Sequence, residues 1–323
     1  MNSVKYSAAV IGLGNIGLLY DINTNIKKKH CFSHTSAYLK HPNIDLLGGV
    51  DPQKENGELF SKITNRPYFT ETENLLDRLN PDIVSITAPT NKHLSVLKSV
   101  APHKPKLIVL EKPLATNEAE VNEIIKLQKK YDLKIIVNYY RGYLPTVKKI
   151  QESFKSGKYG KLQTGHVLYV KGLLNNSSHY INLLLHFFGK PEDYSITNHI
   201  DSYNDDPTLE FILKYKNFNI SFQAVSNSSY TIGEVDLLFE KIRIKFINLF
   251  KDIVYCNIID SPDFTGYRIL NDELTSIEDE YLNYMFYVID HAYESLDKNK
   301  DISNDFEIVV QTTEICNELL KKY

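Results

Sequence analysis

The chain has 323 residues, 42% hydrophobic and 24% charged, with a formal net charge of −3. That length suggests about two domains of roughly 150 residues, and the slightly acidic balance argues against a general nucleic-acid surface, which would be basic. No apolar run approaches the roughly 20 residues of a membrane span.

The first residues carry no signal-peptide pattern, which predicts a cytoplasmic protein. The three cysteines, Cys31, Cys256 and Cys316, are scattered without metal-ligand spacing. They read as reduced thiols, and no metal site is expected.

In chain order, Ala8–Ile11 reads as a strand buried on both faces and ends at Gly12. A helical stretch near His34–Lys40 follows, then a strand over Ile44–Val50 that ends at Asp51-Pro52. A short helix is predicted over Asn74–Leu79, a strand over Asp82–Thr87 and a helix over His93–Val100. Leu107–Leu110 is a strand running into Glu111-Lys112-Pro113. Asn117 caps an amphipathic helix reaching about Tyr131, and Lys134–Val137 is one more strand. Strands alternating with helices imply a parallel, doubly wound α/β sheet.

The rhythm changes near residue 140. Pro145–Gly157 reads as a helix. Strands are predicted over Gln163–Val170, Leu209–Tyr215, Asn219–Val225, Glu234–Glu240, Lys241–Ile247 and Ile253–Ile259. Helices are predicted over Glu278–Leu296 and Asn304–Leu320. Alternating strands of this kind suit a one-sided mixed or antiparallel sheet in an α+β domain. The predicted division is a Rossmann dinucleotide-binding domain over 1–120, a connecting helix and strand over 121–143, and a domain for substrate binding and oligomerisation over 144–323.

Gly12-Leu13-Gly14-Asn15-Ile16-Gly17 is a G-x-G-x-x-G sequence after a strand and before a predicted helix. In that context the first glycine permits a tight turn, the second a close pyrophosphate and the third close helix packing. Asn15 and Ile16 belong to the same loop. Asp51, ending the second strand, suits the ribose hydroxyls and repels a 2′-phosphate, which favours NAD over NADP. Lys54 nearby leaves NADP open. The gap from Gly17 to Asp51 exceeds the usual spacing of about 20. The excess, Asp21 to Ser33 with Lys27-Lys28-Lys29, reads as a solvated loop, or as a basic flap over a phosphorylated ligand.

Five segments then occur in order: Gly12–Gly17, Gly49–Pro52, Thr87–His93, Glu111–Pro113 and Asn138–Arg141. Gly172–Gly189 follows, with a histidine and an apolar helix. Together they resemble the glucose–fructose oxidoreductase and inositol dehydrogenase (Gfo/Idh/MocA) family. The resemblance implies hydride transfer between NAD(P) and a sugar, cyclitol or nucleotide-sugar carbon. It implies that Lys112 points at the reacting oxygen, that the Lys112–Pro113 bond is cis, and that His179 is an acid or base. An aspartate usual four residues before that histidine is Asn175 here, and one usual three residues after it is Asn182. A neutral amide can orient an imidazole but cannot supply the carboxylate's charge.

The candidate cofactor residues extend to Thr87, Pro89, Thr90, His93, Glu111, Lys112 and Asn138. Candidate substrate residues are Lys112, Arg141, Asn175, Asn176 and His179. His93 has the competing reading of a helix-start residue, and Arg141 that of a structural ion-pair partner. Tyr139, Tyr140 and Tyr180 suit either a sugar or packing. Surface-carbohydrate biosynthesis is the expected setting. Two other readings stay open: a redox-assisted lyase, isomerase or glycosidase that retains its cofactor, and a non-catalytic nicotinamide-binding sensor. Similar proteins pack the second sheet against another subunit, which predicts a homodimer or homotetramer.

Overall fold

The computed structural model describes residues 5–22, 30–228 and 230–323. They form two compact units. One comprises residues 1–143 with 282–313, and the other residues 144–281 with 314–323.

The first unit opens with β1 (Tyr6–Ile11), α1 (His34–Lys40) and β2 (Ile44–Val50). It continues through α2 (Lys54–Thr64), β3 (Tyr68–Phe69), α3 (Thr72–Leu79) and β4 (Ile83–Ile86). Then come α4 (His93–Val100), β5 (Leu107–Leu110), α5 (Glu118–Tyr131) and β6 (Ile135–Val137). The six strands are parallel in the order β3-β2-β1-β4-β5-β6. Strand order reverses between β1 and β4, and such sheets bind ligands outside the carboxyl ends of their strands at that point.

The second unit contains α6 (Pro145–Lys155), β7 (Leu162–Tyr169), α7 (Ser178–Phe188), β8 (Asp193–Tyr203) and β9 (Asp206–Lys214). It adds β10 (Asn219–Ala224), β11 (Gly233–Phe239), β12 (Ile242–Ile247), β13 (Asp252–Asp260), β14 (Arg268–Ser276) and α8 (Glu278–Leu282). Its sheet runs β14-β13-β12-β11-β7-β10-β9-β8, antiparallel except for β7 beside β10. The last helices are α9 (Tyr284–Asp297) and α10 (Ser303–Lys322).

This division differs from the sequence-based one, which placed all of 144–323 in the second domain. Met285, Val288, Ile289 and Ala292 of α9 join Val10, Tyr38, Leu107 and Ile136 in one buried cluster of the first unit. The stretch 121–143 is not a connector either. Val121 and Ile124 of α5 and Ile135 and Val137 of β6 lie in the core on the other side of the sheet. The predicted Glu278–Leu296 helix is divided at Asn283 into α8 and α9.

Periodicity did not reveal α2, β8 or β14. α2 has Gly57 in its first turn, where an added Cβ would stand 2.1 Å from the Tyr68 ring. β8 and β14 are sheet edges, and β14 is exposed along almost its whole length. Edge strands tolerate polar residues and so lose the alternation of a covered strand.

Candidate functional site: a nucleotide cleft in the first unit

The glycine-rich loop leaves β1 at the switch point. Gly12 has φ +101°, and a Cβ there would stand 2.8 Å from the Ala88 amide nitrogen. Only glycine meets both conditions. A Cβ on Gly17 would stand 2.0 Å from the Gly12 carbonyl oxygen and 2.9 Å from Thr87 Oγ1, so the third glycine lets the loop close on itself. Thr87 fastens it, donating its amide and hydroxyl to the Ile11 carbonyl at 2.8 and 3.1 Å. At Gly14 a Cβ would meet nothing within 4 Å. That open side faces the cleft, and the cradle fits a pyrophosphate.

A regular helix does not follow the loop directly. One turn forms, with the Leu18 and Tyr20 amides donating to the Gly14 and Asn15 carbonyls, both at 2.9 Å. A short 3-10 turn, Leu19–Asp21, comes next. Residues 23–29, which include the three lysines of the predicted flap, lie outside the described residues.

The chain returns at α1, whose first amides continue the interrupted turn. His34 N donates to the Ile16 carbonyl at 3.0 Å and Thr35 N to the Gly17 carbonyl at 3.1 Å. These bonds step in register like successive rungs of one helix. The start of α1 therefore takes up the helical turn that begins after the glycine-rich loop. Asp21 pins the returning end by accepting the Phe32 and Ser33 amides at 2.9 and 2.8 Å. Ser33 caps α1 through the Ser36 amide at 3.2 Å.

Asp51 stands at the end of β2. Its Oδ2 accepts the Leu13 amide at 2.7 Å and its Oδ1 accepts the Gln53 amide at 2.8 Å. The carboxylate lines a cleft of about 930 Å³ together with Gly12, Gly14, Asn15, Ile16, Gln53, Asn56, Thr87, Pro89, Thr90, Glu111 and Lys112. Lys54 does not line it. Its ammonium lies 3.4 Å from Glu58 on the exposed face of α2. The acid rather than the lysine faces the cleft, and an acid at the end of this strand suits a free 2′-hydroxyl.

Across the cleft, β5 ends at Glu111, and the Lys112–Pro113 bond is cis. Glu111 is buried, with its Oε1 2.6 Å from Asn138 Nδ2 and 2.9 Å from His34 Nε2. Its Oε2 accepts the Lys112 amide at 3.3 Å. Burial alone would push this carboxyl up, but the hydrogen bond and charge of His34, with Asn138 and Lys112, hold it below the usual carboxylate range. Behind it, His34 Nδ1 lies 2.8 Å from Ser85 Oγ, which lies 2.7 Å from the Tyr38 hydroxyl.

Three residues expected at the cofactor stand back from the cleft wall. Gly17 packs on Gly12. Asn138 supports Glu111 from inside. His93 is buried, with its ring nitrogens 3.0 Å from the Ala88 carbonyl and 3.3 Å from the Leu114 carbonyl. Burial holds its pKa below the ordinary histidine value. Arg141 is also buried, its guanidinium 4.8 Å from the centre of the Tyr140 ring.

In the second unit, Asn175 and Asn176 sit in a π-turn, Leu173–Ser177, that leads into α7. Asp206 accepts the Leu174 and Asn175 amides at 3.0 and 2.7 Å. Asn175 Nδ2 donates to the Lys171 carbonyl at 3.1 Å, and Asn176 Nδ2 to the Val170 carbonyl at 2.8 Å. Both amides therefore brace the turn. His179, in the first turn of α7, is 8% exposed. Tyr180 and Asn182 beside it are buried, and the Tyr180 ring packs against Phe250.

His34, Ser85, Gln53, Asn56 and Lys92 were not among the predicted site residues, yet they line or support the cleft. Ser85 carried one usable signal. It interrupts an apolar strand buried on both faces, and a buried hydroxyl there needs a partner. Among the described residues no group of three or more His, Cys, Asp or Glu side chains is arranged to hold a metal. No helix among them is long and apolar enough to cross a membrane.

Residues 6–139 match the family model described as "Oxidoreductase family, NAD-binding Rossmann fold". The myo-inositol 2-dehydrogenase of Thermotoga maritima is 28% identical over 154 residues, 47% of this chain and 41% of that protein. The putative oxidoreductase YteT of Bacillus subtilis is 23% identical over 45% of this chain and 35% of its own length. The chain thus matches less than half the length of these relatives. Likeness to solved structures extends further. A dehydrogenase (MviM) from Clostridium difficile superimposes with TM-score 0.76 at 16% identity, covering 99% of this chain and 100% of that one. The WlbA dehydrogenase of Bordetella pertussis, solved with NADH and UDP-GlcNAcA, gives TM-score 0.77 at 16% identity over 98% and 95%.

Proposed function

We infer, from a chain whose residues 6–139 belong to the NAD-binding Rossmann domain of the Gfo/Idh/MocA oxidoreductase family, that it is an NAD-dependent dehydrogenase or reductase. Its substrate class is a sugar, cyclitol or nucleotide sugar. The observation that carries this reading is Lys112, which lines the glycine-rich cleft on a turn held by Glu111. Support for the substrate class comes from the inositol dehydrogenase among the relatives and from the nucleotide-sugar complex of WlbA. The KijD10 3-ketoreductase of Actinomadura kijaniata, solved with TDP-benzene and NADP, adds to it at TM-score 0.72 and 13% identity over 97% of this chain and 96% of that one. Surface-carbohydrate biosynthesis suits such substrates.

The nicotinamide, when bound, supplies the hydride chemistry. Lys112 holds the oxygen on the reacting carbon, and takes the hydroxyl proton in oxidation or returns it in reduction. His179 is the second candidate acid–base group, and Arg141, Asn175 and Asn176 are candidate substrate contacts. Asp51 and the loop Gly12–Gly17 bind the adenosine ribose and pyrophosphate. A cytoplasmic homodimer or homotetramer completes the reading, and light scattering on the purified protein tests the assembly.

The test is hydride transfer by the purified protein, with NAD and NADP separately, against sugars, cyclitols and nucleotide sugars, following reduced nicotinamide. Lys112→Met is run in parallel. Turnover should fall by about 100-fold or more, as loss of an acid–base group does, while NAD affinity stays within about threefold, less than 1 kcal/mol. Undiminished turnover in Lys112→Met overturns the assignment. Silence across the panel with NAD bound favours a retained cofactor that is oxidised and reduced within one cycle.

A further inference from the structure

We propose that His34 is a positioning residue for Lys112, acting through Glu111 and tying the turn that carries the lysine to the loop that cradles the cofactor. The proposal rests on the reading of Lys112 given above.

His34 is fully buried at the start of α1 and is bonded in three directions. Its backbone amide donates to the Ile16 carbonyl in the glycine-rich loop at 3.0 Å. Its Nε2 meets Glu111 Oε1 at 2.9 Å, and its Nδ1 meets Ser85 Oγ at 2.8 Å on β4. Glu111 in turn takes the Lys112 amide on its other oxygen. One side chain thus spans α1, β4 and the end of β5.

The arrangement is costly unless it has a use. A buried carboxylate is strongly disfavoured without paired donors. An apolar pair of similar volume would stabilise the fold as well or better. What the polar set does, and an apolar pair could not, is fix the direction of the Glu111 carboxylate. Such a network leaves one arrangement of the turn rather than several. Misplacement of a reacting group by about 1 Å can cost on the order of 100-fold in rate.

Two substitutions of similar size separate positioning from folding. In His34→Gln the amide nitrogen reaches the Nε2 position and keeps a donor on Glu111. In His34→Asn it reaches only the Nδ1 position and keeps Ser85. The measurements are melting temperature, NAD affinity, kcat and KM. Labelling of Lys112 by an amine reagent, read by mass spectrometry against the exposed lysines, needs no substrate.

His34→Asn should lower kcat about tenfold or more with KM within about threefold, the pattern of a lost transition-state interaction. It should also change the relative labelling of Lys112 by at least about threefold, equivalent to half a pKa unit. His34→Gln should stay within about threefold of the parent in both. Glu111→Gln should reproduce the loss, and the double variant His34→Asn/Glu111→Gln should be no worse than the poorer single one. Equal behaviour of the Gln and Asn variants, or additive losses in the double variant, overturns the proposal. The two readings fail separately. Turnover surviving Lys112→Met sinks the functional reading, whereas turnover lost there but kept in His34→Asn sinks only the positioning role.

Discussion

Asp51 and Leu13, 38 residues apart, are joined by a 2.7 Å hydrogen bond from the Leu13 amide to the Asp51 carboxylate. The residue proposed to bind the ribose therefore also holds the glycine-rich loop. Asp51→Ala removes the ribose acceptor and both backbone contacts at once. Hydrogen bonds to a charged acceptor contribute about 1.5–3 kcal/mol, so NAD affinity should fall by about tenfold or more. The melting temperature should fall with it. Calorimetric titration with NAD measures the first, and an unchanged dissociation constant would place the ribose elsewhere.

Gly17→Ala brings a methyl group to 2.0 Å from the Gly12 carbonyl oxygen, a backbone atom that cannot swing aside. Overpacking of this kind costs about 1–3 kcal/mol. A melting temperature lower by several degrees is expected, at roughly 2–4 °C per kcal/mol for a domain of this size. NAD binding should weaken in the same variant because the cradle must open. Gly14→Ala meets no protein atom within 4 Å. It should leave the apo protein's melting temperature nearly unchanged and act on cofactor affinity alone.

Restoring an aspartate at 175 is the obvious attempt to supply a carboxylate near His179. The turn resists it. Asn175 Nδ2 donates to the Lys171 carbonyl at 3.1 Å, and an aspartate would set an oxygen against that oxygen. Asn175→Asp should destabilise the protein by about 1–3 kcal/mol, the cost of a lost donor at a half-buried acceptor. Denaturant unfolding measures it, and equal or greater stability would show that the amide does not brace the turn.

Glu111 carries a pH dependence of definite sign. Its carboxyl lies below the ordinary value of 4.5 in the folded protein; burial opposes this shift, and the bond to His34 leads the groups that outweigh it. A depressed carboxyl contributes stability that is fully present above the unfolded-state value and is lost as pH falls through the folded-state value. Denaturation at a series of pH values should show a steeper loss of stability below about pH 4.5 in the parent than in Glu111→Gln. Parallel acid limbs would show that the carboxylate gains nothing from its partners.

Much of the nucleotide half was legible in the sequence. The strands ending at Gly12, Asp51, Thr87 and Glu111 are short apolar runs closed by polar or turn residues, and their carboxyl ends fall together in the cleft. Residue order along a doubly wound sheet suffices for that. His93 was less legible, since its sequence position suited a cofactor contact and its side chain instead turned inward to two carbonyls. The direction of a side chain at a helix start depends on what packs above it, which periodicity does not encode.

By itself the sequence determined where the strands that end at the cleft lie, which glycines the loop requires, and that an acid and a lysine close two of those strands. These are local properties, set by residues within a few positions of each other. Only the tertiary structure decided that α1 takes up the helical turn begun after the glycine-rich loop, that Lys54 turns away from Asp51, that residues 282–313 return to the first unit, and that His34 meets Glu111. Each of these joins or separates groups by where the sheet carries the chain. Once buried, a polar group must find its partner in space, and across 77 residues only the fold can bring His34 and Glu111 together.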